Sequence, residues 1–266
     1  MPHPPPPRPR RSDARRPAPR RSRGAETTGA RRPAPPNRGR GSRRGARRRS
    51  SFGSKFGALL CVMGLLLGLY TAYSLWGTDY LANRKADSLS ADLRRDWQQS
   101  PPDPTRKPPA GSAVGFLHVP RMSKAPILVE SGTAPAVLDR GVAGVYDHAA
   151  MPWDEEGNFA LAAHRDGHGA KFHHMDRVRP GDIAVFETRD TWYVYKFDKV
   201  LPQTSNDNTG IIQAVPEGSG YDGPGRYLTL TTCTPKYTSD YRMAVWAHLV
   251  RTLPVDGPRT LPAELR

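Results

Sequence analysis

The sequence predicts a mainly β protein: one closed or nearly closed β-barrel with short helices, preceded by a single transmembrane helix and a disordered basic arm. Three observations lead there. Residues 1–55 hold 18 Lys and Arg against two acids, Asp13 and Glu26, a net of +16, whereas residues 56–266 hold 22 against 23, a net of −1. A charge-free run of 21 residues, Phe56–Trp76, follows the basic part. From Ser112 to about Leu253 short segments rich in Val, Ile, Tyr, Phe, Trp and Thr are punctuated by Gly, Pro, Asp and Asn, the signature of many short strands.

The arm, residues 1–55, has almost nothing apolar to bury, so no core offsets its ordering entropy. It reads as a solvated arm that sets membrane orientation, with attraction to anionic lipid. Because the rest of the chain is near neutral, a nucleic-acid-binding fold is not expected.

The run 56–76 spans about 30 Å as a helix, the thickness of a bilayer's hydrocarbon core. Tyr70, Tyr73 and Trp76 gather at its far end, where amphipathic rings favour the interface. Six cations between Arg43 and Lys55 precede it, so the positive-inside rule keeps the N-terminus cytoplasmic and exports everything beyond residue 76. A cleaved signal peptide competes, but the run is long and starts some 55 residues in.

Residues 77–111 read as a Pro-rich stalk. A loose apolar repeat (Leu81, Leu89, Leu93, Trp97) allows a short surface helix over 80–99, and five Pro between 101 and 109 make an extended spacer.

Residues 112–253 form the exported domain. Strands are expected over 113–119, 126–130, 158–163, 182–187, 191–197, 226–232 and 241–250, with a hairpin turn at Arg189-Asp190 and short helices over 133–140 and 170–177. Residues 254–266, with Pro254, Pro258 and Pro262, read as a disordered tail.

Two Cys exclude a disulfide-rich scaffold and a Cys-built zinc ribbon. Cys61 lies in the membrane run as a small packing residue. Cys233 is therefore the lone thiol of the exported domain, at the end of the β run Arg226–Thr234, stopped by Pro235. A lone exported thiol is either intermolecular or chemical, and a nucleophilic one needs a partner that favours thiolate. His164 ends an apolar strand beside the Gly-rich stretch Asp166–Gly169. His248 reads as a barrel-face residue, and His168, His173 and His174 as loop residues. The His cluster at 164–174 does not fit a helical metal site, because Gly167 and Gly169 interrupt it; no metal and no cofactor are expected. Arg242 starts the next strand nine residues after Cys233, where it is either a surface Arg or a group for a developing oxyanion.

Thr229-Leu-Thr-Thr-Cys233, Arg242 at the start of the next strand and His164 69 residues upstream resemble the sortase family. Ala163-His-Arg165, the stretch from Phe172 to Arg179-Pro-Gly-Asp182, and Leu230-Thr-Thr-Cys-Thr-Pro235 are similar to class E sortases of high-GC Gram-positive bacteria. The resemblance covers roughly 112–251 and implies an eight-stranded barrel behind a single-pass anchor. It implies that Cys233 attacks the Thr–Gly bond of a C-terminal sorting signal, of Leu-Ala-X-Thr-Gly type, on a secreted protein. A peptidoglycan precursor amine then resolves the thioester. His164 would serve as general acid and base, Arg242 would hold substrate and oxyanion, Thr232 would order substrate near the nucleophile, and Tyr146 would line the groove. One departure is Ala163, where class E sequences commonly carry Gly before the His.

Three other readings compete. An L,D-transpeptidase would need a Ser-x-Gly-Cys-x-Arg-like signature, which Thr232-Cys233-Thr234 does not supply. A non-catalytic stalked β-domain explains the topology but not the Cys, His and Arg set. A tethered polyanion binder would act through the arm alone.

Overall fold

The structure is a computed structural model and describes residues 51–99 and 108–266. Of the arm expected over 1–55, residues 1–50 lie outside the described residues.

Helix α1 (Ser51–Ala72) runs through a five-residue π-helical segment (Tyr73–Gly77) into α2 (Thr78–Gln99), with right-handed helical backbone at both junctions. Gly53–Ala72 is long and apolar enough to cross a membrane, and none of it is buried against protein. The α2 helix is of another kind: polar overall, it buries Ala82, Ala86 and Leu93 along one stripe. Leu89 and Trp97 pack beside them, and Trp97 meets Phe116 edge-on at 5.4 Å. The structure thus differs from a stalk with a surface helix over 80–99. The small Ala82 lets the helix approach Gly141 so closely that a Cβ there would sit 2.9 Å from the Ala82 carbonyl; Gly141 also holds φ +75°. The proline spacer over 101–107 lies outside the described residues.

Eight strands close the barrel: β1 (Ala113–His118), β2 (Ile127–Ser131), β3 (Ala143–Val145), β4 (Gly157–Ala162), β5 (Ile183–Glu187), β6 (Thr191–Ser205), β7 (Arg226–Thr234) and β8 (Tyr241–Pro254). Their order is β1-β2-β3-β4-β7-β8-β6-β5, with β5 returning to β1. The β2/β3 and β4/β7 pairs are parallel and the others antiparallel. Closure leaves no open sheet edge. Strand β3 escaped the sequence reading because three residues, one of them Gly, are too few to show a period of two. The expected helix over 133–140 is a single turn, α3 (Pro135–Leu138), and that over 170–177 consists of turns ending in a 3-10 segment, Met175–Arg177.

Alternation decides the faces. Phe159 and Leu161 on β4, Leu228 and Leu230 on β7, and Met243, Val245 and Ala247 on β8 point into one core with Phe186 and Phe197. Each fully buried large side chain of this kind stabilises by about 1.5–3 kcal/mol. Intervening residues of β4, β7 and β8 face outward.

The C-terminal residues are ordered, unlike the tail expected over 254–266. Leu253, Val255 and Leu265 pack around Trp192. Arg259 donates from Nη2 and Nε to Glu187 Oε1 at 2.7 and 3.0 Å, and its guanidinium stacks over Trp97 at 4.5 Å. Glu187, only 2% exposed, also takes His118 at 2.8 Å and Arg94 of α2 at 3.4 Å. Burial disfavours its ionised form, but the hydrogen bonds from His118 and Arg259 and the charge of Arg94 outweigh that and hold the carboxyl below its usual range. One carboxylate thereby ties α2 and the C-terminus to the barrel.

Candidate active site

Strand β7 positions the nucleophile. Leu228 and Leu230 look inward, so Thr229, Thr231 and Cys233 look out. Cys233 is a free, half-buried thiol. Across the antiparallel β7/β8 ladder it stands directly opposite Arg242. Directly opposed residues share a face, with Cβ atoms about 4.5–5.5 Å apart. On the other side, the parallel β4/β7 ladder pairs Ala160 with Thr229 and Ala162 with Thr231. Continued by two residues, that register carries His164 to the level of Cys233, on the same outer face. His164, Cys233 and Arg242 thus form a row across three neighbouring strands, with the cysteine in the middle. Three stretches far apart in sequence converge because β4, β7 and β8 are adjacent only in the closed sheet.

The supporting groups differ in kind. Arg242 donates from Nη1 to the Ser239 and Tyr241 carbonyls at 3.0 and 3.1 Å, and among the described residues it is in no salt bridge. Its charge is held in place yet uncompensated, as a group for an oxyanion or a substrate carbonyl requires. His164 Nε2 lies 2.8 Å from Asp139 Oδ1, just past α3. Tyr146 bonds through its hydroxyl to Thr231 Oγ1 at 2.9 Å, which places it one outward step along β7 from Cys233. Beyond it, Trp246, anchored by its Nε1–H to the Ile211 carbonyl at 3.0 Å, walls the same face.

Thr232 sits differently. It is 3% exposed, faces inward, and its hydroxyl donates to the Ala163 carbonyl at 2.8 Å. That bond locks the end of β7 to the residue before His164. Arg165, 6% exposed, lies beneath the row: its Nη1 donates to the Cys233 carbonyl at 3.3 Å, and its Nη2 lies 3.5 Å from Asp176.

The loop after the histidine is shaped by left-handed backbone at four consecutive positions, Gly167, His168, Gly169 and Ala170. Two of these are not glycine, which costs of order 1–3 kcal/mol each unless the surroundings hold them. They do. Phe172 N–H donates to the His164 carbonyl at 3.1 Å and closes the loop's base. Asp79 of α2 accepts from Gly169 N–H at 2.8 Å, and Asn83 accepts from Lys171 Nζ at 2.7 Å. Asp166 Oδ2 accepts from Tyr237 N–H at 2.6 Å, joining this loop to the turn that follows Cys233.

His164, Cys233 and Arg242 are brought together as the sequence spacing anticipates, and Tyr146 joins them. His248 stays on the barrel face, 2.7 Å from Asp198. The sequence reading missed Asp139, Arg165 as a structural charge, and Asp166. Only Arg165 had a signal, its place in the Ala163-His-Arg165 motif.

A barrel that opens a free cysteine between a histidine and an arginine on one outer face defines a thiol-dependent enzyme of the transpeptidase type. A family profile described as Sortase domain matches residues 117–250. The chain belongs to the sortase family, whose members are cysteine transpeptidases, and its relatives place it in class E. It is 50% identical over 237 residues to the sortase SrtE2 of Streptomyces coelicolor, covering 86% of this chain and 94% of that protein. It is 41% identical to the crystal structure of sortase E1 of the same organism with a tripeptide in the active site, with a TM-score of 0.56 over 59% of this chain and 98% of that one. Sortase E of Streptomyces avermitilis matches at 37% identity and a TM-score of 0.54, over 60% of this chain and 100% of that one.

Proposed function

We propose that this chain is a membrane-anchored class E sortase that cleaves a C-terminal sorting signal of Leu-Ala-X-Thr-Gly type between Thr and Gly and joins the secreted protein to a peptidoglycan amine. The observation that carries the reading is the row His164, Cys233, Arg242, with Cys233 and Arg242 paired across β7 and β8. The tripeptide in the active site of the related sortase E1 supports a peptide substrate.

The thiolate of Cys233 attacks the Thr carbonyl carbon. A C–S bond forms and the carbonyl becomes an oxyanion, met by the Arg242 guanidinium. The C–N bond then breaks, and His164 gives a proton to the leaving Gly amine. The incoming amine attacks the thioester, passes its proton to His164, and the C–S bond breaks to return the thiol. Thr232 and Arg165 keep the strand ends in register rather than touching substrate, while Tyr146 borders the groove. The single-pass helix, with its N-terminus cytoplasmic and the catalytic domain outside the cell, puts this site on the wall side of the membrane.

The test is a cleavage and transpeptidation assay with a Leu-Ala-X-Thr-Gly peptide beside its Leu-Pro counterpart and an added amine. A thioacyl adduct on Cys233 and an amide product, both missing in Cys233→Ala, are the expected result. Activity should be bell-shaped between about pH 5 and 9, as for coupled acid and base groups. No adduct with either peptide, from folded protein with an alkylatable Cys233, overturns the reading.

A further inference from the structure

A cleft of about 910 Å³ lies where the membrane helix meets the active-site end of the barrel. One wall is Tyr70, Tyr73 and Trp76; the other is His168, His173 and Tyr237, from the loops that follow His164 and Cys233. The helix that carries the first wall cannot swing away from the second. It continues unbroken into α2, which buries Ala82, Ala86 and Leu93 on the barrel and is bonded through Asp79 to Gly169 N–H at 2.8 Å. Asp79 is three residues past Trp76, a rise of about 4.5 Å along the helix. If Trp76 marks the edge of the hydrocarbon core, the loop at Gly169 stands in the headgroup layer, which extends roughly 5–7 Å beyond that edge on each side.

The side chains at this level suit such a layer. Tyr70, Tyr73 and Trp76 are 69%, 57% and 70% exposed. Tyr237, four residues after the nucleophile, is 76% exposed, on left-handed backbone at φ 67°. An aromatic side chain held open to water on strained backbone lacks a partner that would repay the exposure. Tyr favours the membrane interface, where its ring sits among upper acyl chains and its hydroxyl among headgroups.

We propose that this cleft is filled by lipid of the bilayer's interfacial layer, so that the active-site end of the barrel rests on the membrane with Tyr237 inserted among the headgroups. This rests on the single-pass anchoring proposed above. Cys233 is then reached along the membrane surface, not from the wall side at the far end of a spacer.

The test uses the full chain in phosphatidylcholine–phosphatidylglycerol vesicles containing lipids with a nitroxide near the headgroup or deep in the acyl chain. Three proteins are compared: the native chain, Trp76→Phe, and Trp76→Phe with Tyr237→Trp. The Tyr237→Trp reporter should be quenched by the shallow label roughly twofold more than by the deep one, above the Trp76→Phe background. A Tyr237→Trp signal no different from that background, while native Trp76 is quenched, overturns this proposal and leaves the anchoring intact. If Trp76 is not quenched either, the anchoring reading fails with it. The unaltered chain gives a second readout with a photoreactive headgroup lipid. Adducts within 167–170 or 236–238 are expected, and adducts confined to 53–76 overturn the proposal.

Discussion

His164 Nε2 meets Asp139 Oδ1 at 2.8 Å across 25 residues of chain, and the carboxylate reaches it from the turn that ends α3. Asp139 is held from behind: its backbone N–H caps α3 on the Pro135 carbonyl, and Gly141, two residues on, lies against Ala82 of α2. The imidazole that serves Cys233 is thus oriented by a group outside the row itself. Its second ring nitrogen is left for the reacting centre. Asp139→Asn should lower kcat by about tenfold or more with KM within about twofold, because orientation of an acid–base group acts on the transition state. Steady-state kinetics check this. Asp139 is 43% exposed, so the unfolding midpoint should barely move.

Arg242→Lys separates charge from geometry. Lysine keeps the positive charge but loses the fork that holds the Ser239 and Tyr241 carbonyls while presenting further N–H groups to substrate. The variant should retain partial activity, and Arg242→Ala should lose about 10²–10³ in kcat. Comparing acylation rates by stopped reaction and mass spectrometry checks the order of the three proteins.

Thr232→Val keeps the shape and removes the bond to the Ala163 carbonyl. A buried acceptor that loses its donor costs about 1–3 kcal/mol, so the unfolding midpoint in urea should fall. Activity should fall through kcat, since the strand ends that set Cys233 against His164 lose their tie. A change in KM alone, at unchanged stability, would instead mean that Thr232 touches substrate.

Glu187 makes the docking of α2 and the C-terminus sensitive to acid. Its carboxyl is held below the ordinary range, so the folded state binds its proton less readily than the unfolded chain does. The stabilisation it gives is present above the unfolded carboxylate value of about 4.3 and is lost as pH falls toward the depressed folded value. Urea unfolding from about pH 6 down to 3 should show this loss, and Glu187→Gln should flatten it. Glu187→Ala, which strands Arg259 and Arg94 beside a buried site, should cost about 3–5 kcal/mol.

Gly141→Ala probes the contact of the membrane-proximal helix with the site. The new methyl would meet the Ala82 carbonyl at 2.9 Å on backbone at φ +75°. Stability should fall by more than about 1 kcal/mol, and kcat with it, because Asp139 and the loop at Gly169 share this support. Deeper burial of the same residue would give the first effect without the second.

Much was legible in the residues because it rests on local rules. A charge-free run flanked by cations spans a bilayer by length alone. Alternating apolar residues and turn-forming Gly, Pro and Asp mark strands. A lone exported Cys, with a His at one strand end and an Arg at another, marks thiol chemistry. Local pattern could not say which strands become neighbours. Only closure of the barrel puts β4 and β8 on either side of β7, and so turns residues 164, 233 and 242 into one row. Nor could it reveal Asp139, which reaches His164 through a turn with no motif, or the inward face of Thr232, which depends on where period two begins in β7. The helix expected on a stalk proved to be part of the catalytic domain's surface. The small Ala82, the glycine facing it and one buried carboxylate decide that docking, and complementarity between distant segments is a property of the folded chain.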